Sequence, residues 1–213
     1  MRFLVVGNGK MGEIFQRLYP QEISLSSSDP KELLHHPHDF DAVVDFSHPD
    51  LLDVSIRLAV ENKVPLLIGT TGLSQIQKAK IREISDMIPV CVDANYSPGI
   101  LRLKRCFSLF EGYDVEIEET HHIHKKDAPS GTALLLKENL EEKGFRNIEI
   151  LSKRKGEIFG IHEVIFRRGF EKISLVHEAE GRELFTIGAH DALEKLVRKK
   201  KGCYDYEKLA SEQ

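Results

Sequence analysis

The chain opens with a short apolar run that leads directly into a glycine-rich turn. Phe3–Val6 are all apolar, as expected of a strand buried on both faces of a parallel sheet. Gly7, Gly9 and Gly12 follow in the order G-N-G-K-M-G, and apolar residues then recur at helical spacing. A G-x-G-x-x-G segment between a strand and a helix is typical of dinucleotide binding. The alternative is a tight turn that requires only small residues, and the context favours the dinucleotide site.

Three further apolar runs, each followed by a small or polar loop, continue this pattern. Residues 42–45, 65–68 and 90–92 are predicted to be buried strands, and the loops after them contain D-F-S-H-P, G-T-T-G and D-A-N-Y-S. A shorter strand at 23–25 precedes Ser26, Ser27, Ser28 and Asp29, where an acid that binds the adenosine ribose is expected. Because cofactors bind at the carboxyl edge of a parallel sheet, these loops are predicted to form the cofactor site.

The composition is that of a soluble globular protein and argues against several classes of partner. The chain has 213 residues, of which 41% are hydrophobic and 30% charged, which is ordinary for such proteins. A net charge of -4 provides no basic surface for nucleic acid or an anionic membrane. We expect a cytoplasmic protein, because the sequence shows no membrane span or signal-peptide pattern and has only three widely spaced cysteines.

The densest group of reactive side chains lies at residues 119–133, in the sequence E-T-H-H-I-H-K-K-D-A-P-S-G-T-A. Ser130 is predicted to cap a leucine-rich helix, whose first N–H groups then form an anion site. His121 or His122 can donate a proton, and Lys125 supplies a fixed positive charge. This combination predicts chemistry on a small acid, in preference to a solvated basic loop.

The second half of the chain is predicted to contain a mixed or antiparallel sheet. Strands are predicted at 114–118, 148–151, 162–166, 173–176 and 184–187, with helices at 100–110 and 133–143. Asp191 and Glu194 are predicted to cap a last helix. The fold class is therefore α/β, a Rossmann-like parallel-sheet dinucleotide-binding domain (1–98 with 190–213) plus an α+β substrate-binding and oligomerisation domain (99–189).

The segment His35-His36-Pro37-His38 is the second histidine-rich stretch of the sequence. We interpret it as a surface loop, because no further ligands at metal-binding spacing surround it.

The run H-H-I-H-K-K-D-A-P-S-G-T-A resembles the signature of the 4-hydroxy-tetrahydrodipicolinate reductase family, long called dihydrodipicolinate reductases. The resemblance covers nearly the whole chain, because D-F-S-H-P, V-P-L-L-I-G-T-T-G and D-A-N-Y-S-P-G-I are similar to the family's successive cofactor loops. It implies reduction of a cyclic dicarboxylate with NADH or NADPH, in lysine and diaminopimelate biosynthesis, by a homotetramer. Ile123 and Lys10 stand where the family usually has arginine.

The resemblance also assigns roles to individual residues. His121 is implied as the general acid/base and Lys125 as the catalytic lysine. The implied substrate contacts are His122, Ser130, Gly131 and Thr132. The cofactor-binding residues that the glycine turn and the resemblance together imply are Gly7, Asn8, Gly9, Lys10, Met11, Gly12, Gly69, Thr70, Thr71, Asp93, Ala94, Asn95 and Tyr96.

Three other functions compete with this interpretation. A different nicotinamide-dependent amino-acid dehydrogenase on the same fold would make the G-T-T-G and D-A-P-S-G-T segments coincidental. A non-enzymatic nucleotide sensor would have no need to keep His121 and Lys125 together. A metal hydrolase could use His121, His122 and His124, although we expect no metal.

Overall fold

The computed structural model describes residues 1–37 and 39–211. They form two compact units, one comprising Met1–Tyr96 with the chain from Phe185 onwards, the other Ser97–Leu184. Each unit is built around one sheet. No helix among the described residues combines the length and apolar character that crossing a bilayer requires.

The strands and helices alternate through the first half of the chain and separate in the second. In chain order, the strands are β1 (Phe3–Val6), β2 (Ile23–Ser27), β3 (Ala42–Asp45), β4 (Leu66–Ile68), β5 (Pro89–Val92), β6 (Asp114–His121), β7 (Glu149–Arg154), β8 (Gly160–Arg168), β9 (Glu171–Ala179) and β10 (Gly202–Tyr204). The helices are α1 (Lys10–Leu18), α2 (Pro30–His35), α3 (Leu52–Asn62), α4 (Gln75–Ile84), α5 (Pro98–Cys106), α6 (Gly131–Glu142), α7 (Glu183–Leu196) and α8 (Tyr206–Ser211).

The sheet of the first unit is parallel throughout and has the order β10-β5-β4-β3-β1-β2. Every residue of β1, β3 and β4 is buried, as their wholly apolar or nearly apolar sequences predict. The chain passes from β1 to β2 on one side and returns to β3 on the other, so the order reverses at β1. Ligands of such sheets bind at the carboxyl edge beside this reversal.

The glycine-rich turn at that edge depends on two of its glycines for steric reasons. Gly7 has φ +110° and donates its N–H to Ser27 O at 2.7 Å. A Cβ on Gly12 would overlap Gly7 O, so α1 can approach β1 only with glycine there. A Cβ on Gly9 would meet no atom within 4 Å. The predicted strand, turn and helix are confirmed.

Side chains cap two helices of the first unit at their starts. Ser74 and Gln77 form a reciprocal capping box at the start of α4. Asp29 caps α2 by accepting a hydrogen bond from Lys31 N at 2.8 Å.

The sheet of the second unit is mixed, with the order β7-β6-β8-β9. β6 runs parallel to β7 and antiparallel to β8, and β8 is antiparallel to β9. Its apolar face packs against α5 and α6 in a core that includes Phe107, Ile117, Leu136, Leu140 and Phe166. The prediction of a parallel-sheet unit plus a unit with a mixed sheet is confirmed.

The predicted strand at 184–187 is wrong, because these residues belong to the first turns of α7. Thr186, Ala189, Leu193 and Leu196 are buried at helical spacing along this helix. A mostly apolar run of four residues fits a buried helix as well as a strand, and only a longer periodic pattern distinguishes the two. The predicted cap at Asp191 and Glu194 is wrong for the same reason. Both lie within α7, and Asp191 pairs with Lys195 at 3.2 Å.

The histidine segment after α2 is only partly a loop. His35 is the last residue of α2, and the ring of His36 is hydrogen-bonded to Ser24 Oγ at 2.7 Å. His38 lies outside the described residues.

The steric demand at Gly12 provides a test of the turn. Gly12→Ala should lower the free energy of unfolding by about 1–3 kcal/mol, because the new methyl group overpacks the contact with Gly7. Chemical denaturation of the two variants Gly12→Ala and Gly9→Ala measures this difference. Gly9→Ala, where space is open, should lower the free energy of unfolding clearly less. Equal decreases in the two variants would contradict the steric explanation.

Candidate active site

The second unit places a buried polar cluster at the end of β6. Residues of this strand alternate between buried and half-buried positions, and the buried series runs Val115, Ile117, Glu119 and His121. Because alternate residues of a strand face the same side, Glu119 and His121 lie on the same face of β6 as the core residues Val115 and Ile117. Buried polar groups require partners, and the surrounding elements supply them.

Glu119 is fully buried and is the most heavily hydrogen-bonded residue of this cluster. Its Oε1 accepts from Arg154 Nη2 at 3.0 Å and Nη1 at 3.1 Å, and from Ser130 N at 3.3 Å. Its Oε2 accepts from Arg154 Nη1 at 3.1 Å and is hydrogen-bonded to His121 Nδ1. Burial alone would raise the pKa of Glu119, but the hydrogen bonds from Arg154, Ser152 and His121 outweigh it and lower the pKa.

His121 is held at Nδ1 by Glu119, which leaves Nε2 as its other proton-binding atom. Burial lowers the pKa of His121; the Glu119 carboxylate opposes this, and the charges of Lys125 and Arg154 add to the lowering. The net result is a pKa below the ordinary value of histidine. His121 is therefore mostly neutral at pH 7 and able to exchange a proton.

The loop from His122 to Pro129 is tied to the same cluster through Arg154. The guanidinium donates to Lys125 O at 3.3 Å and also to Asp127 O. Lys125 Nζ lies 2.8 Å from Asp127 Oδ2, and its side chain is about one-fifth exposed. Lys125 thus lies near the surface with a counterion that an anionic ligand can replace.

Ser130 connects the cluster to the start of α6. Its Oγ accepts from Ala133 N at 3.2 Å, which confirms the predicted N-cap. The same Oγ lies 3.0 Å from His162 Nε2, and the Ser130 N–H is directed to Glu119. Gly131 and Thr132 follow as the first helical residues, where N–H groups have no acceptor within the helix.

A row of polar side chains crosses the sheet at this point. Glu119 of β6 lies opposite His162 of β8, and His162 lies opposite His177 of β9. The His121 and His162 ring centroids are 5.1 Å apart, and those of His162 and His177 are 6.4 Å apart. His177 Nε2 is hydrogen-bonded to Ser97 Oγ at 3.0 Å.

Both histidines of this row are held neutral by their surroundings. Burial, and then His121 and His177, lower the pKa of His162 to about 3. Burial also lowers the pKa of His177. The Nδ1 atoms of both rings are buried without a partner among the described residues.

Sequence reasoning missed Glu119, Arg154, His162 and His177 as site residues. Glu119 carried one local signal, because it falls two positions after Ile117 on the buried face of β6. The others are 33 or more positions away from His121 along the chain, so only the strand pairing brings them together.

The residues predicted to bind the cofactor lie in loops at one edge of the parallel sheet of the first unit. Gly7, Asn8, Gly9, Lys10, Met11 and Gly12 form the turn and the start of α1; Gly69, Thr70 and Thr71 follow β4; and Asp93, Ala94, Asn95 and Tyr96 follow β5. No side chain of the described residues caps α1, so its first N–H groups remain suited to a phosphate.

Several of these side chains hold the loops in place. The Tyr96 hydroxyl is buried and donates to Ile68 O at 2.8 Å. Asp93 accepts from Asn95 N at 3.0 Å and from Tyr206 N at 3.2 Å. Asp45, a fully buried residue at the end of β3, accepts from the Thr70 hydroxyl at 2.6 Å. Sequence reasoning placed D-F-S-H-P at this edge but missed the role of Asp45.

No group of three or more histidine, cysteine or acidic side chains is arranged to hold a metal within residues 1–37 and 39–211. The rings of His122 and His124 have centroids 6.3 Å apart. His121 is directed to Glu119.

A glycine-rich turn on a parallel sheet, together with a buried histidine at the end of a mixed-sheet strand and a lysine in the loop after it, fits the class of NAD(P)H-dependent oxidoreductases. Family comparisons give the particular family. Residues 1–96 match the family described as dihydrodipicolinate reductase, N-terminus, and residues 102–209 match the corresponding C-terminus. The chain belongs to the dihydrodipicolinate reductase family.

Individual relatives agree with this assignment. The 4-hydroxy-tetrahydrodipicolinate reductase of Caldanaerobacter subterraneus is 33% identical over 98% of each chain. That of Exiguobacterium sibiricum is 34% identical over 100% of this chain and 98% of its own. A dipicolinate-bound dihydrodipicolinate reductase from Paenisporosarcina has the same fold, with a TM-score of 0.79, 23% identity and 98% coverage of each chain. The reaction is therefore the NAD(P)H-dependent reduction for which these enzymes are named, a step of lysine and diaminopimelate biosynthesis.

The low pKa of His162 predicts a loss of stability in acid. Its pKa is about 3 in the folded protein, against 6.5 for an unperturbed histidine side chain. Between these values the unfolded chain binds a proton that the folded chain does not, so lowering the pH favours unfolding. From pH 7 to pH 5 this amounts to about 2 kcal/mol for one histidine.

Urea denaturation at pH 7 and pH 5 measures this effect. His162→Gln, whose amide can keep the hydrogen bond to Ser130, should lose less stability over this interval than the wild type. His124→Gln, at an exposed position, should behave like the wild type. If His162→Gln lost as much stability between pH 7 and pH 5 as the wild type, that result would contradict the burial of a neutral His162.

Proposed function

We propose that the second unit binds the cyclic dicarboxylate substrate and transfers the proton, and that the first unit binds the nicotinamide cofactor. The observation that carries this proposal is the buried pair of Glu119 and His121 beside Lys125 and the first turn of α6. A proton-exchanging group, a cation and an anion-binding helix start are the parts that reduction of a small dicarboxylate needs.

His121 acts in this proposal as the general acid/base through Nε2. Glu119 holds Nδ1, so Nε2 is the atom available for exchange with the substrate. Because the pKa of His121 lies below its ordinary value, the protonated ring is a stronger acid than a free histidine. A step that needs this protonated form slows as the pH rises above that pKa.

Lys125 and the start of α6 hold the two carboxylates of the substrate. A substrate carboxylate competes with Asp127 for Lys125, whose charge also stabilises negative charge that develops during reduction. Gly131 and Thr132 lie in the first turn of α6, whose dipole favours an anion, and His122 adds a ring donor. Ser130 contributes by fixing this turn, since its N–H and Oγ already have partners.

The glycine turn fits the dinucleotide on steric grounds. The open space at Gly9 and the uncapped start of α1 leave the backbone accessible to a pyrophosphate, with Lys10 beside it. When bound, the nicotinamide supplies the hydride. The loops after β4 and β5 complete the proposed cofactor set, with Thr70 fixed by Asp45 and Tyr96 by Ile68.

The proposal includes a homotetramer in the cytoplasm. Large apolar side chains on the second unit support association, because Leu151 of β7 and Val176 of β9 are more than half exposed.

The direct experiment is oxidation of the nicotinamide cofactor by the purified protein, with substrate made in situ by an aldolase-type synthase. Loss of the reduced cofactor's near-ultraviolet absorbance that requires both the synthase and this protein supports the proposal. No oxidation under these conditions would contradict it.

Substrate shape is tested with unreactive aromatic acids. Pyridine-2,6-dicarboxylate should bind about 10-fold or more tightly than pyridine-2-carboxylate, because the second carboxylate adds charge-assisted hydrogen bonds worth roughly 1.5–3 kcal/mol. Calorimetric titration in the presence of oxidised cofactor measures both affinities. Lys125→Ala should weaken the binding of the dicarboxylate, whereas the neighbouring substitution Lys126→Ala should not. Equal affinity for the two acids would rule out recognition of two carboxylates.

Cofactor choice follows from the residues after β2. The Asp29 carboxylate caps α2, and the Ser28 hydroxyl donates to Asn8 Oδ1 at 2.6 Å. The Glu32 carboxylate accepts from Ser27 Oγ. Serine hydroxyls can bind a ribose hydroxyl or a phosphate, and Lys10 favours additional negative charge.

We therefore expect both NADH and NADPH to be used. Specificity constants for the two cofactors should differ by less than about 10³-fold, or about 4 kcal/mol. A larger preference for NADH would mean that a carboxylate contacts the ribose. In that case, Asp29→Ser, which keeps a capping hydroxyl, and Glu32→Gln would identify which one.

A further inference from the structure

We infer that Glu119 is a positioning residue, which holds His121 in the tautomer with the proton on Nδ1, and that Arg154 orients Glu119 for this task. The inference rests on the proposed function in one respect, the proton transfer assigned to His121.

The hydrogen bonds around Glu119 determine the tautomer. An ionised carboxylate only accepts hydrogen bonds. The other contacts to its oxygens come from donors, namely the Arg154 guanidinium, the Ser130 N–H and the Ser152 side chain. His121 must therefore donate from an N–H at Nδ1, and Nε2 is the nitrogen that can bind and release a proton.

The two oxygens of Glu119 are not equivalent, which makes the inference testable. Oε1 accepts from both Arg154 nitrogens and from Ser130 N, whereas Oε2 accepts from one Arg154 nitrogen and from His121. In Glu119→Gln the amide oxygen will take the Oε1 position, where these neighbours donate. The NH2 group then faces His121 and donates to Nδ1, so the imidazole proton moves to Nε2.

A purely structural ion pair with Arg154 is the competing explanation. Glu119 and Arg154 join β6 to β7, and this role alone would make the carboxylate necessary for folding. The contact with His121 distinguishes the two explanations, because a structural pair has no influence on the state of the ring.

The charges that face His121 also fix the direction of its pH response. Glu119 lies on the same strand, Arg154 on β7, Lys125 in the following loop and His162 on β8. Glu119 supplies the negative charge in this group of described residues. Its replacement by glutamine leaves the positive neighbours unopposed, so the imidazolium of His121 becomes less stable.

The experiment is nitrogen NMR of protein labelled at the histidine rings, since the two ring nitrogens report both tautomer and titration. The wild type should show His121 protonated on Nδ1. Glu119→Gln should show the proton on Nε2 and titration at lower pH. Glu118→Gln is the matched control, because Glu118 is adjacent on β6 but only partly buried and paired with Lys153.

Kinetics provide a second, independent measurement. In Glu119→Gln, kcat should fall about 10²-fold or more, as expected when general acid/base catalysis is lost. The dissociation constant of pyridine-2,6-dicarboxylate should change less than about 3-fold, because Glu119 does not contact the ligand in this proposal. Glu118→Gln should keep the wild-type values.

The outcomes separate this inference from the proposed function. Wild-type His121 with its proton on Nε2, or Glu119→Gln indistinguishable from Glu118→Gln, would overturn the positioning role even if the enzyme is active. The expected tautomers in a protein without reductase activity would overturn the proposed function and leave the positioning role intact. If Glu119→Gln does not fold, Arg154→Lys, which retains the carboxylate, should still show the proton on Nδ1; a shift to Nε2 would contradict the inference.

Discussion

The buried carboxylate of Glu119 is the group on which the organisation of the second unit depends. Burying an ionised carboxylate costs several kcal/mol unless charge and hydrogen bonds compensate. The compensation comes from three separate elements: Arg154 at the end of β7, the Ser130 N–H before α6 and His121 on β6 itself. Satisfying one charge therefore fixes a strand end, a helix start and a histidine ring together. Arg154 also fixes the loop between β6 and α6, because its guanidinium donates hydrogen bonds to the carbonyl groups of Lys125 and Asp127.

The first unit contains a comparable buried carboxylate with a different set of partners. Asp45 accepts hydrogen bonds from Ser47 N at 3.0 Å, Ser55 Oγ at 2.7 Å and Thr70 Oγ1 at 2.6 Å. These donors are neutral hydroxyl and backbone groups, whereas Glu119 has a guanidinium. Asp45 joins the loops after β3 and β4 to α3 and has no titrating partner among these groups. Glu119 differs in that one of its partners can gain or lose a proton.

The parts of the fold and site predicted from sequence are those specified by local patterns. The glycine turn, the strands β1 to β5 of the parallel sheet, the Ser130 cap and the strands β6 to β9 of the mixed sheet each follow from patterns of neighbouring residues. The start of α7 was not predictable from the four mostly apolar residues 184–187, because a strand and a helix share that pattern over so short a window. Arg154, His162 and His177 act in the cluster only through strand pairing, which no local pattern specifies.

The row formed by Glu119, His162 and His177 has a consequence for how the second sheet finds its pairing. Successive residues of a strand face opposite sides, so a slip of β8 by one position would replace inward-facing His162 with Ile161 or Glu163. Glu163 in that place would bury two carboxylates side by side, and Ile161 would leave Ser130 Oγ without its imidazole partner. Electrostatic repulsion therefore disfavours one slipped alignment, and the loss of a buried hydrogen bond disfavours the other. The correct alignment is the one in which a neutral ring, with no charge of its own, lies beside the buried anion.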